Sequence, residues 1–60
     1  MRDLEKLYSV NQKMVGKTVL VLSGEQWVGE IIGLKDAETF LIKQGNETAE
    51  VSMFDVRSID

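Results

Sequence analysis

The stretch Lys17–Leu34, KTVLVLSGEQWVGEIIGL, decides how this chain folds. It holds an apolar strand, a turn at Ser23-Gly24-Glu25, and a second, longer apolar strand with Gly29 in its interior. A glycine inside a strand costs stability, so it marks a sharp bend or a close backbone approach. A long strand that bends at a glycine lets a small sheet curl towards closure on itself.

Working outward, the first strand reads from Met14 to Leu22. Val19 and Val21 fall on one face and Leu20 and Leu22 on the other, which predicts cover on both faces. The second runs from Gln26 to about Leu34, with Trp27 and Ile31 facing one way and Val28 and Ile32 the other. Lys35-Asp36-Ala37-Glu38 is a polar turn, and Thr39 to Gln44 a third strand. Gly45-Asn46-Glu47 makes another turn, its glycine and asparagine suited to positive φ. A fourth strand spans Thr48 to Met53, with Ala49, Val51 and Met53 inward; Phe54-Asp55 is a tight 3₁₀ connector, and Val56 to Ile59 a short fifth strand. At the N-terminal end, Asp3 to Val10 places Leu4, Leu7 and Tyr8 at i, i+3 and i+4, one face of a short helix. Asp3 reads as its N-cap and Asn11 as its stop. So short a helix is marginal alone in water, which predicts that its apolar stripe docks on the sheet.

Sixty residues make one domain near the lower limit for a self-sufficient core. The chain has neither cysteine nor histidine, so disulfides and a histidine- or cysteine-ligated zinc are unavailable as staples. Small unstapled scaffolds often rely on oligomerisation instead. The same two absences remove most acid–base and nucleophilic arrangements, and the chain is read as non-catalytic, with no cofactor. Gly29 and Gly33 lie within an apolar strand and not before a helix, so they do not form a phosphate loop. No segment is long and apolar enough to span a bilayer, and MRDLEKLYSV is too charged and short for a secretory signal. The expectation is a soluble, cytoplasmic protein. The net charge is −3 and the basic residues are dispersed, which argues against an extended phosphate-binding surface.

One helix followed by five short strands is the plan of a mainly β, strongly bent, five-stranded SH3-like or Sm-like barrel. The run Val19 to Ile31, VLVLSGEQWVGEI, resembles the first motif of Sm-like proteins, with its alternating aliphatics, turn glycine and strand glycine. The closing run Glu50 to Ile59, EVSMFDVRSI, is similar in rhythm to the end of bacterial Hfq proteins. The resemblance covers nearly the whole chain, and it implies a ring of roughly five to seven copies in which the fourth strand of one copy joins the fifth strand of the next. Val51, Met53, Val56 and Ser58 are the expected joint residues, with Glu50, Ser52 and Arg57 as edge guards if the chain is instead a monomer.

The family's RNA-contact residues are not matched. Met53 and Phe54 stand where Hfq-like chains carry a lysine–histidine pair, and Glu38 where they carry a base-stacking aromatic. Phe40 and Phe54-Asp55 lie near the places of the asparagine and the Arg-Gly pair of archaeal and eukaryotic Sm proteins. Lys43 matches a basic position after the third strand, and the spacing from Gly29 to Asp36 is one residue longer than the family's. The candidate ligand contacts are Glu38, Thr39, Lys43 and Phe54. Phe54 reads either as a stacking residue for a base or as a plug for the barrel's end, and Trp27 as core or as an interface anchor. Two functions follow. One is a ring-forming module that binds RNA or a small nucleotide at its joints. The other is a small acidic adaptor or inhibitor of the kind phages encode, which binds a protein partner through an exposed edge.

Overall fold

The computed structural model describes residues 2–59. Helix α1 (Arg2–Gln12) precedes strands β1 (Thr18–Val21), β2 (Trp27–Asp36), β3 (Thr39–Gln44) and β4 (Glu47–Ser52), a 3₁₀ turn η1 (Met53–Asp55), and strand β5 (Val56–Ser58). All five strands form one antiparallel sheet in the order β4-β3-β2-β1-β5. The chain is therefore mainly β with a short N-terminal helix. Its ladder is open, because β4 and β5 are the two outer strands and do not pair with each other.

One face of the sheet carries the core. Val19, Val21, Ile31, Phe40, Ile42 and Val51 are buried together, drawn from β1, β2, β3 and β4, and Met14, Val15, Trp27, Leu34, Ala49, Met53 and Val56 pack at its margin. The alternation that places them follows from the period of two along a strand. The opposite face is less covered than the alternating leucines predict: Leu20 is half-buried, while Leu22, Val28 and Ile32 are exposed. Met14 and Val15 lie in the turn after α1 and not in β1, so the first strand is four residues long.

Gly29 permits a close approach rather than a bend. A Cβ built there would lie 2.5 Å from Ile42 Cγ2, 2.8 Å from the Trp27 ring and 2.9 Å from the Lys43 carbonyl oxygen. The Trp27 indole thus lies across Gly29 on the inner face. The bends of β2 fall further on, at register shifts between Ile31 and Gly33 and between Leu34 and Asp36. Ile32 and Lys35 are the extra residues, and such bulges sharpen local twist and curvature. At the β3–β4 hairpin, Gly45 alone takes positive φ (60°) in a two-residue loop, the pattern of a type II′ turn; Asn46 does not share it.

The sheet has to be rolled. The Ser52 end of β4 lies beside Thr39, and the Val56 end of β5 beside Val21. In a flat sheet these ends would be four strand spacings apart, about 19 Å, and displaced along most of β2 as well. The connector η1 has three residues, so Ser52 and Val56 are four chain steps apart, at most about 14 Å when extended. Both ends of the turn are fastened. The Met53 amide donates to the Glu38 carbonyl (2.8 Å), and the Leu22 amide donates to the Asp55 carbonyl (2.7 Å).

Helix α1 starts earlier and ends later than its periodicity suggests. Asp3 lies within it rather than capping it, and Asn11 does not stop it. Asn11 is 5% exposed and donates through Nδ2 to the Ala37 carbonyl (2.7 Å) and towards Met53 Sδ (3.5 Å). Leu4 and Asn11 are seven residues apart and share a face, yet Leu4 is 53% and Tyr8 44% exposed. The expected docking of the whole stripe is therefore corrected: Asn11 is seated and Leu7 half-buried, while Leu4 and Tyr8 stay largely exposed.

Two glycines of one strand separate packing from conformation. Gly29→Ala is expected to cost about 2 kcal/mol or more by overpacking against backbone and core. Gly33→Ala, whose nearest neighbour would be Leu41 Cδ1 at 3.8 Å, should change stability by less than about 1 kcal/mol. Urea denaturation of the two variants checks this.

Candidate functional site

The roll of the sheet brings two turns together at one end of the molecule. The β2–β3 turn is built by Asp36, whose Oδ1 accepts from the Glu38 amide at 2.9 Å, with the Thr39 hydroxyl as a further donor to its carboxylate. The η1 turn is built by Ser52, whose hydroxyl accepts from the Phe54 amide at 3.3 Å. The Met53–Glu38 bond ties the two turns, and Asn11 ties both to α1.

Of the four candidate ligand contacts, three meet at this rim. Glu38 and Thr39 stand on one turn, Thr39 opposite Ser52 in the ladder, and Phe54 on the other. Lys43 does not join them; it lies towards the far end of β3, opposite Glu30 and Thr48. Phe54 is 76% exposed, so it does not plug the sheet's open end. Trp27 is half-buried against the core and serves packing. Among the described residues no pocket is enclosed, so any ligand here meets an open surface.

The rim is acidic. Hydrogen bonds from the Glu38 amide and the Thr39 hydroxyl hold the Asp36 carboxyl below its ordinary value. Glu38 and Asp55 add carboxylates on the same two turns. The nearby cation Lys35 is engaged: its ammonium donates to Glu50 Oε1 at 2.9 Å, and that hydrogen bond and charge raise its pKa. The pair reaches from β2 to β4 across β3. Both partners are well exposed, so the contact organises the outer surface more than it stabilises it.

The expected joint residues sit differently from one another. Val51 is buried in its own core, and Met53 and Val56 are half-buried against it, while Ser58 is exposed. What these strands offer a neighbour is backbone. Gln44 and Glu47 flank a two-residue hairpin loop and form a hydrogen-bonded pair, so alternation turns the amides and carbonyls of Ala49 and Val51 towards β3. The amides and carbonyls of Thr48 and Glu50, and the amide of Ser52, therefore face the open edge, while the Ser52 carbonyl accepts the first bond of η1 as its N-cap. On the other side, the Leu22–Asp55 and Ile59–Thr18 bonds fix the β1–β5 phase and leave the Val56 carbonyl and both backbone groups of Ser58 facing out, the Val56 amide closing η1.

Asn11 is the residue that sequence reasoning misplaced. Its signal is present: Leu4, Leu7, Tyr8 and Asn11 are spaced i, i+3, i+4 and i+7, so an asparagine at the end of an apolar stripe marks a buried polar anchor as readily as a helix stop. Comparison with protein-family models, with curated proteins and with solved structures returns no match.

Two measurements test this rim. Asn11→Ala leaves the Ala37 carbonyl without its donor, and a loss of about 1–3 kcal/mol is expected in denaturant unfolding. Asp36 is expected to titrate below the ordinary aspartate value by NMR, held down by the Glu38 amide and Thr39 hydroxyl. Because its folded pKa is depressed, its contribution is present above the unfolded value and is lost as pH falls through the folded one. Asp36→Ala should therefore flatten the acid limb of the stability profile.

Proposed function

We propose that this chain is a non-catalytic, Sm-like barrel module that assembles head to tail into a ring of roughly five to seven copies. In this reading β4 of one copy pairs antiparallel with β5 of the next. Phe54 then presents an aromatic face beside each joint, to stack on a base of RNA or of a free nucleotide.

The observation that carries the proposal is the pair of open edges on one small curled sheet. Thr48 and Glu50 with the Ser52 amide on one side, and Ser58 with the Val56 carbonyl on the other, turn backbone groups away from the ladder that a second copy would satisfy. An unguarded edge of this kind is a template for strand addition. Neither edge contains proline, and Lys35 draws the Glu50 carboxylate over the sheet. Each copy carries one edge of each kind, so the contact is heterologous and propagates until it closes. The small core gives the same direction, since six apolar side chains are buried among the described residues. The bulged β2 and the three-residue η1 support the barrel reading of the curled sheet.

Charge favours a second reading. The carboxylates of Asp36, Glu38 and Asp55 surround the rim, and the chain's net charge is −3. Phosphate is repelled by such a surface and a cationic protein segment is attracted. On that reading the chain is an acidic adaptor that binds a protein partner at an exposed edge.

Absolute mass by light scattering on a sizing column, with and without nuclease, separates these readings. The ring requires a mass of roughly five to seven times the 6.8 kDa chain, and bound RNA requires a fall in absorbance after nuclease. Glu50→Pro and Ser58→Pro each remove one edge-facing amide without touching the internal ladder, and both should give folded monomers. A monomeric wild-type chain overturns the ring in favour of the adaptor. A ring with no nuclease-sensitive absorbance and no nucleotide affinity overturns the base-binding role.

A further inference from the structure

We infer that α1 of each copy lays its Leu4–Leu7–Tyr8 face on the outer surface of the neighbouring copy, against Leu20, Val28 and Ile59. The inference rests on the β4–β5 joint proposed above, and names a second contact that this joint creates.

Among the described residues, two apolar surfaces are only partly covered. One is the stripe of α1, where Leu4 and Tyr8 are exposed although they share a face with the buried Asn11. The other is the outer face of β1, β2 and β5. There Leu20 stands opposite Val28, and Ile59, whose amide donates to the Thr18 carbonyl, continues the same face at the end of β5. Val28 is 47% and Ile59 50% exposed. Within one chain these surfaces cannot cover each other. Asn11 reaches Met53 at the margin of the core, so α1 belongs to the inner side of the sheet, whereas Leu20 and Val28 belong to the outer side.

The chirality of an antiparallel ladder brings them together. Residues that exchange hydrogen bonds across such a ladder project their side chains to the same face. The free groups of β4 belong to Thr48, Glu50 and Ser52, which alternate with the inward Ala49 and Val51 and therefore lie on the outer face. The free groups of β5 belong to Val56 and Ser58, opposite the inward Val21 and Val19. Pairing them aligns the outer face of one copy with the inner face of the next. By the same step the neighbour's outer face, with Leu20, Val28 and Ile59, continues the inner side of β4. That is the side on which α1 is anchored, through Asn11, at the end of β4 itself. Arg57 lies opposite Leu20 on the receiving surface. Its guanidinium suits the ring of Tyr8 and the acidic first turn of α1, with Asp3 and Glu5.

The chain lacks cysteine, so engineered pairs report each contact cleanly. Tyr8→Cys with Val28→Cys tests the helix contact, and Glu50→Cys with Ser58→Cys tests the edge joint. Each is oxidised mildly and read on a non-reducing gel beside its two single variants. A ladder of covalent multimers from both pairs, absent from the single variants, is the expected result. A ladder from the edge pair alone overturns the helix contact and leaves the joint standing. No ladder from either pair overturns both. A ladder from the helix pair alone overturns the β4–β5 joint as the origin of this contact, since the copies then meet by another edge.

Discussion

A three-residue turn governs this molecule. Met53, Phe54 and Asp55 carry the chain from one outer strand of the sheet to the other, and each end is pinned, Met53 to the Glu38 carbonyl and Asp55 to the Leu22 amide. So short a link leaves the sheet no flat arrangement. It also explains why the ladder stays open: the turn redirects the chain so that β5 meets β1 rather than β4. Two open edges result, their near ends only one short turn apart in the chain. The openness and the curvature have one cause.

The long second strand accommodates that roll. Ten residues of β2 serve both β1 and β3, and the register shifts at Ile32 and Lys35 let its two halves face different neighbours. Gly29 does a different task. With no side chain of its own, it leaves room for Ile42 and the Lys43 backbone, and Trp27 closes over the gap. An interior this small tolerates no extra atom where backbone meets core. The same economy puts a polar residue inside: Asn11 is buried because its amide satisfies the Ala37 carbonyl while fastening α1 to both turns.

Charge and exposure divide the surface into an acidic rim and two open edges. The rim around Phe54 collects Asp36, Glu38 and Asp55, and each turn there consumes local donors to hold its shape. An exposed aromatic among carboxylates suits a base edge or a cationic group better than a phosphate chain. The edges are instead nearly neutral in their backbone groups, and their chemistry is that of any strand seeking a partner. The acidic rim and the open edges are therefore separate surfaces, although η1 borders both.

Local pattern determined a good deal. The alternation through Val19 and Val21, the turn at Gly45, and the strand from Thr39 to Gln44 are each set by neighbours within a few residues, and the sequence alone establishes them. The mainly β class and the order of elements follow from the same short-range rules. What only the tertiary structure decided depends on distance in space. Gly29 proved to be a packing gap because Ile42 and Lys43, far along the chain, approach it. Asn11 proved to be an anchor because Ala37 and Met53 converge on it. Phe54 faces solvent, Val51 faces its own core, and Lys43 stands apart from the rim, since side-chain direction in a rolled sheet is fixed by register and bulges. Periodicity specifies which residues share a face; only the roll of the sheet specifies what that face meets.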